Sequence, residues 1–118
     1  LSLTCGENIT AGNVVAVANS SSGVGSAGQA IKADNSNANR VNIVGIAMET
    51  KSSGNPVAIQ QFGKIQASVS AGATFFLGTS GGVTQTAPTA AGTTVYQIGF
   101  AESTTSLVIQ TAFIMQNG

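Results

Sequence analysis

The feature that most constrains this chain is an internal repeat of three short blocks. The matched pairs are Ile-Thr-Ala-Gly at 9–12 with Val-Ser-Ala-Gly at 69–72, Val-Gly-Ile-Ala at 44–47 with Ile-Gly-Phe-Ala at 98–101, and Val-Ala-Ile-Gln at 57–60 with Leu-Val-Ile-Gln at 107–110. The blocks occur in the same order in both halves. Because one such unit alone buries too little apolar surface, the pattern predicts a single domain over residues 1–118, whose related halves at about 9–60 and 69–110 share a core.

Short runs of β-branched and aromatic residues, bounded by Gly, Ser, Asn or Pro, predict strands along the chain. The alternation of apolar and smaller or polar residues at 57–60 is typical of a strand with one buried face. The predicted strands cover residues 14–17, 41–48, 57–60, 74–77, 94–101, 107–110 and 112–115. We expect 26–33 to be a loop that leads into a strand, and 79–82 to be a hairpin turn. The predicted fold class is therefore all-β, a small barrel or sandwich made of two related halves.

Four glycines at equivalent places in the two halves are predicted to have structural roles. Gly12 and Gly72 each follow a small polar residue and an alanine, where a turn needs a left-handed or bulged backbone. Gly45 and Gly99 lie inside apolar strands, where glycine indicates a bulge or the close approach of another backbone. Two copies at matched positions favour a bend, such as the corner of a small barrel.

The low content of charged residues excludes several classes of partner. Charged residues make up 7% of the chain, against about 25% in a typical soluble domain, and four basic residues balance four acidic ones. This balance offers nothing to neutralise a row of phosphates, so we expect neither nucleic acid nor an anionic membrane as partner. A neutral surface also repels other copies only weakly, which suits a subunit of a large assembly.

The residues needed for catalysis are mostly missing. The chain has no His, the commonest general base and metal ligand, and without His the lone Cys5 is expected to be a small apolar residue. Glu49 and Glu102 follow equivalent strands, so a hydrolase with paired carboxylates is an alternative to two solvent-exposed strand ends. We predict that the chain is not an enzyme.

Two loops invite comparison with ligand sites. The Gly-Val-Gly-Ser run at 23–26 resembles a fragment of a phosphate-binding loop, but it lacks the Lys and the following helix. Asp34, Asn35, Asn37 and Asn39 alternate oxygen-bearing side chains, so a weak calcium site is an alternative to a solvated loop. We expect no metal and no cofactor.

Apolar residues near both ends of the sequence form a candidate interface. These residues are Leu1, Leu3, Phe113, Ile114 and Met115. Solvated tails are the norm in such positions. The two segments are therefore expected either to close the domain's own sheet or to reach a neighbouring subunit or a shell.

Several segments together resemble small β-rich structural proteins of tailed bacteriophages. They are Gly-Glu-Asn-Ile-Thr-Ala-Gly-Asn-Val-Val at 6–15, Val-Gly-Ile-Ala at 44–47, Gly-Lys-Ile at 63–65, the run from Phe75 to Thr89, and Tyr-Gln-Ile-Gly-Phe-Ala at 96–101. The last two look like a module of phage head-decoration proteins and of head or tail fibres. The resemblance implies a compact β-barrel, or β-tulip, that is usually trimeric and sits on capsomer junctions. It carries over no catalytic residue.

The composition suits a subunit of a large assembly, and the resemblance implies which assembly that is. We expect a structural virion protein that decorates and stabilises the capsid, with the major capsid protein as partner and a homo-oligomer, a trimer being favoured. No signal peptide is visible, so assembly in the host cytoplasm and residence on the capsid surface are expected. The alternative is a head-fibre, tail-fibre or spike domain that adheres to host or glycans, although the absence of Trp and the single Tyr96 disfavour a sugar platform.

Overall fold

The computed structural model describes residues 1–66 and 70–118 and confirms the predicted all-β class. The strands are β1 (Ser2–Thr4), β2 (Val14–Val17), β3 (Ala30–Lys32), β4 (Ile43–Ala47), β5 (Pro56–Gln60), β6 (Gly63–Gln66), β7 (Thr74–Leu77), β8 (Val83–Thr84), β9 (Thr94–Ser103) and β10 (Ser106–Gln116). In these residues the only helical element is a 3₁₀ turn at Ala38–Arg40. Val69, the first residue of one repeat block, lies outside the described residues.

The ten strands form two antiparallel sheets with the same topology. The strand order is β1-β5-β4-β2-β3 in the first half and β6-β10-β9-β7-β8 in the second. The register is repeated as well, since Val15 pairs with Gly45 and Phe75 pairs with Gly99 at equivalent positions. Each half of the chain therefore folds into one copy of the same five-stranded unit.

The turn before the second strand of each half is built identically. The amide of Gly12 donates to the carbonyl of Ala47 at 2.9 Å, and the amide of Gly72 donates to the carbonyl of Ala101 at 2.8 Å. Both glycines have a left-handed backbone, with φ of 90° at Gly12 and 79° at Gly72. Residues with a Cβ rarely adopt this conformation, so these turns favour glycine.

Gly45 and Gly99 each lie at a bulge where two backbones come close together. The pairing of β4 with β2 shifts by one residue next to Gly45, and that of β9 with β7 shifts next to Gly99. A Cβ at Gly45 would overlap the carbonyl oxygen of Gln60, and one at Gly99 would overlap that of Val108. The bulges bend both sheets at the same place.

The first sheet closes on itself through the residues that follow β1. Cys5 forms a parallel bridge with Ala30 of β3, and the amide of Gly6 donates to the carbonyl of Ala30 at 2.8 Å. The enclosed space is filled by a cluster that we call the first-half core. Its members are Cys5, Ile9, Val15, Ala30, Ala47, Val57 and Ile59, with Leu3 and Val44 packed against them.

A second core lies between the two halves. From the first sheet it takes Val14, Ala16, Ile31 and Ile46, and from the second it takes Phe75, Leu77, Ile98, Ala101, Leu107 and Ile109. Phe75, Leu107 and Ile109 are the repeat equivalents of residues that fill the first-half core. The first sheet turns one face towards its own core, and the second sheet uses the equivalent face to cover the first half. The two halves therefore stack one on the other in the same orientation.

Asn35 joins the two halves through buried hydrogen bonds. Its amide donates to the carbonyl of Gly78 at 3.0 Å, and its side-chain Nδ2 donates to the carbonyl of Leu77 at 2.9 Å. The carbonyl of Asn35 accepts from the amide of Thr94 at 2.8 Å. Because Asn35 is buried, these bonds fix the loop that precedes the 3₁₀ turn against the second sheet.

The predicted strands are present, with three differences from the sequence-based interpretation. Residues 107–110 and 112–115 belong to the single strand β10, which is interrupted by bulges. The predicted strand at 41–48 is shorter, since β4 covers only Ile43–Ala47. The expected hairpin at 79–82 is confirmed, because it joins β7 to β8 with Leu77 paired to Val83. The short strands β1, β6 and β8 were not predicted.

Candidate interaction surface

Strand β1 places the first two candidate interface residues in different environments. The carbonyl of Leu1 accepts from the amide of Ile59 at 2.7 Å, and Leu3 pairs with Val57. Leu3 packs against the first-half core, so its role is structural. The side chain of Leu1 remains 55% exposed and is free to contact a partner.

The other three candidate residues lie on a two-stranded extension of the second sheet. We call the paired segments 94–97 and 112–116 the ribbon; Ala112 pairs with Gln97, and Phe113 pairs with Tyr96. Phe113, Ile114 and Met115 are 59%, 51% and 49% exposed. The ring of Phe113 meets Tyr96 edge-on, with centroids 6.3 Å apart. Three consecutive large apolar side chains are therefore presented to solvent.

Asn117 fixes the end of the ribbon. Its amide donates to the carbonyl of Thr93 at 2.8 Å, and its Nδ2 donates to the carbonyl of Pro88 at 2.8 Å and to the hydroxyl of Thr93 at 2.9 Å. The apolar side chains are thus held on an ordered scaffold, which lowers the entropy cost of docking a partner.

Further exposed apolar residues were missed from the sequence. Met48 is 60% exposed, Phe62 is 79% exposed, and Val83 and Phe100 are close to 40% exposed. The exposure of Phe62 could have been predicted from the sequence. Phe62 lies between Gln61 and Gly63, and no periodic pattern of apolar residues around it indicates a buried face. The candidates are divided between the two sheets: β1 belongs to the first sheet and the ribbon to the second.

The few charged side chains mostly bind other groups of the protein. Lys64 pairs with Glu102 at 2.9 Å, and Lys32 lies 3.8 Å from Glu7. The Nε of Arg40 donates to the carbonyl of Ser22 at 2.8 Å. These contacts leave the exposed apolar residues as the main chemical feature of the described surface.

The two carboxylates proposed as a catalytic pair are held by separate halves. Glu49 accepts a hydrogen bond from the amide of Ala58 at 3.1 Å. Glu102 is on the surface, and its contact with Lys64 holds the pKa of its carboxyl below the usual value. A general acid needs a raised pKa, so the environment of Glu102 does not suit that role.

The loop proposed as a calcium site uses its oxygens within the protein. Oδ1 of Asn37 accepts from the amide of Asn39 at 2.9 Å. Partial burial by itself would raise the pKa of Asp34, but hydrogen bonds from Ser36 and from the amide of Ser80, with Arg40 nearby, hold it below its usual value. Within residues 1–66 and 70–118, no group of three or more His, Cys, Asp or Glu could hold a metal ion.

Cys5 is 1% exposed in the first-half core. Burial raises the pKa of its thiol, and the charge of Glu49 adds to that effect. A buried neutral thiol of this kind is a poor nucleophile.

The Gly23 to Ser26 run is followed by β3 and not by a helix, so it lacks the helix N-terminus on which a phosphate loop depends.

A shallow cleft of about 420 Å³ lies between the halves. Its lining includes Met48, Gln60, Lys64 and Ile65. Among the described residues that line the cleft, Lys64 is the only charged one. In the described part of the chain, no helix is long and apolar enough to cross a membrane.

Searches against protein-family models and against characterised proteins find no match to this chain.

Proposed function

We propose that this chain is a structural virion protein that decorates and stabilises the capsid of a tailed bacteriophage. Its partner is the major capsid protein, and it acts as a homo-oligomer on the capsid surface after assembly in the host cytoplasm. It works by binding alone, with no catalytic step and no cofactor. The phage setting and the trimeric state come from the resemblance described above; the binding role is supported by the surface.

The observation that carries the proposal is the set of large apolar side chains that the folded chain leaves exposed. Among the described residues this set is Leu1, Met48, Phe62, Val83, Phe100, Phe113, Ile114 and Met115. Protein interfaces are enriched in Phe and Met and depleted in Lys, Glu and Asp, which are also scarce here. Scattered single residues of this kind are normal, but the consecutive run on the ribbon is not.

The charge balance supports binding at many neighbouring sites on one particle. A decorating subunit must tolerate a high local concentration of its own copies. Net charge far from zero would make those copies repel one another, whereas the formal net charge here is zero. The twofold-repeated β scaffold adds rigidity, so little ordering entropy is lost when a copy docks.

The test is co-sedimentation with empty shells assembled from the coat protein of the same genome. We expect saturable binding that Leu1→Ser weakens at least about fivefold while the melting temperature stays unchanged, because Leu1 is 55% exposed. The matched control is Thr104→Ala, an exposed polar position in the turn between β9 and β10. A chain that ignores shells but binds host cells or glycan arrays would refute the capsid role and favour the fibre alternative.

A further inference from the structure

The ribbon ends at an asparagine that is followed by glycine. Of the nine asparagines in the sequence, only Asn117 precedes a residue without a side chain, Gly118. The side-chain amide of an asparagine can be attacked by the backbone nitrogen of the next residue, at a rate that depends on how closely this nitrogen approaches Cγ. Because glycine has no Cβ and reaches more backbone conformations than other residues, the step from Asn117 to Gly118 is the least hindered of the nine.

The backbone nitrogen of Gly118 is available for this attack. Gly118 is exposed, and its amide has no hydrogen-bond acceptor among the described residues. Asn35 shows the opposite arrangement, since it is buried and the amide of the following Ser36 donates to Oδ1 of Asp34 at 2.9 Å. The nitrogen that follows Asn117 is therefore free both of a side chain and of a hydrogen bond.

The side chain that would be attacked is held by the hydrogen bonds that fix the end of the ribbon. Nδ2 of Asn117 donates to the carbonyl of Pro88 at 2.8 Å and to the hydroxyl of Thr93 at 2.9 Å. The carbonyl of Asn117 accepts from the amide of Gly92 at 2.9 Å. Ring closure rotates both the side chain and the backbone of Asn117, so the reaction proceeds when the end of the ribbon opens. Local opening costs least at the end of a two-stranded ribbon.

We propose that Asn117 is a site of spontaneous deamidation, a covalent modification that releases the end of the ribbon. The nitrogen of Gly118 forms a bond to Cγ of Asn117, the bond from Cγ to Nδ2 breaks, and ammonia leaves with the proton of the attacking nitrogen. Water then adds to either carbonyl of the cyclic imide and opens the ring, which leaves an aspartyl or an iso-aspartyl linkage. Water is the only co-reactant, and no group is oxidised or reduced.

The product cannot restore the hydrogen bonds that Asn117 makes. A carboxylate accepts hydrogen bonds but donates none, so an oxygen in the place of Nδ2 would lie against the carbonyl oxygen of Pro88. The hydroxyl of Thr93 could donate to that oxygen only by giving up its hydrogen bond to the carbonyl of Ala90. The reaction also adds a negative charge to a chain whose formal net charge is zero. Once modified, the end of the ribbon therefore stays open.

Mass spectrometry of the folded 118-residue chain, incubated in mildly alkaline buffer and then mapped by peptides, tests the proposal. We expect a gain of about 1 Da at Asn117 and an isoelectric point that falls from about 6.2. Gly118→Ala keeps the hydrogen bonds of Asn117 but shields the attacking nitrogen, so it should slow the gain at least about tenfold. Thr93→Val removes one acceptor of Nδ2 and should accelerate the gain.

Asn117→Asp supplies one product without the reaction and tests the structural consequence. Its melting temperature should lie about 5 °C below that of the unmutated chain, because the hydrogen bonds to Pro88 and Thr93 are lost. An unmutated chain that keeps its mass, a gain confined to other asparagines, a rate that Gly118→Ala leaves unchanged, or an unaltered melting temperature of Asn117→Asp would overturn the inference. The unmutated chain needs no variant to fold, and no shells are present, so the result is independent of capsid binding.

Discussion

Replacing Gly99 by Ala is the substitution whose cost follows most directly from the fold. Gly99 lies in β9 directly against the backbone of β10. A Cβ there would stand 3.0 Å from the carbonyl carbon of Val108 and 3.3 Å from the amide nitrogen of Gln110, and it would overlap the Val108 oxygen. Real Cβ atoms essentially never come within 3.0 Å of another heavy atom. Since the obstacle is backbone, no side-chain rotation relieves it.

The magnitude follows from how far the strands must separate. Strands β9 and β10 are the longest in the molecule, and one of them must move by about 1 Å to admit the methyl group. Overpacking of this kind costs about 1–3 kcal/mol, and each weakened ladder hydrogen bond adds up to about 1 kcal/mol. We expect Gly99→Ala to lower the free energy of unfolding by about 3 kcal/mol and the melting temperature by about 10 °C.

Urea-induced unfolding, followed by circular dichroism, measures this cost against two matched variants. A Cβ at Gly72 would meet no atom of the described residues within 4 Å, but φ there is 79°, so Gly72→Ala should cost only about 1 kcal/mol, from backbone strain. Gly45→Ala, the repeat equivalent, should resemble Gly99→Ala because its Cβ would lie 2.8 Å from Ile59 and overlap Gln60. If Gly99→Ala costs no more than Gly72→Ala, the argument from close backbone approach is wrong.

Three further predictions test the core and the charged groups. Ile46→Ala should lower the free energy of unfolding by about 3 kcal/mol, because Ile46 is buried between the halves. The equivalent substitution in the second half, Phe100→Ala, should lower it by less than about 1 kcal/mol, because Phe100 is 39% exposed. Equal losses in urea unfolding would contradict the stacking of the halves. The folded-state pKa of Asp34 lies below its unfolded value, so its stabilisation is present above about pH 4 and is lost as pH falls through the folded pKa. Unfolding midpoints compared at neutral and acid pH should show that Asp34→Asn loses part of this dependence; an unchanged pH profile would refute it. Replacing both Glu49 and Glu102 by Gln should leave shell binding unchanged in the sedimentation assay, and loss of a hydrolytic activity in that variant would support the enzyme alternative instead.

The sequence predicted the strand content because most strands carry β-branched or aromatic residues between turn residues. Strand β6 was not predicted because Lys64 and Gln66 obscure its alternation of apolar and polar residues. Strand β8 was not predicted because it is only two residues long. Residues 107–116 looked like two strands because bulges interrupt the period of two, although the backbone pairing with β9 continues. These misses reflect tertiary pairing that local composition does not encode.

The stacking of the two halves could not be predicted from the repeat. Val14 and Val15 are both apolar, so periodicity does not say which of them faces the first-half core and which faces the second sheet. The exposure of Phe100 could not be predicted either. The bulge at Gly99 shifts which residues of β9 face the core and which face solvent, and Phe100 follows that bulge directly. The apolar run at 113–115 was visible as a candidate interface, but only the structure separates Leu1, which is exposed, from Leu3, which is partly buried against the first-half core.

We propose that this chain binds a protein shell through a preformed β scaffold. Electron cryomicroscopy of empty shells mixed with an excess of the chain tests this proposal. We expect additional density at regularly repeated sites on the outer surface, each large enough for copies that measure 36 × 33 × 17 Å. Bare shells in the presence of folded chain at saturating concentration would contradict it.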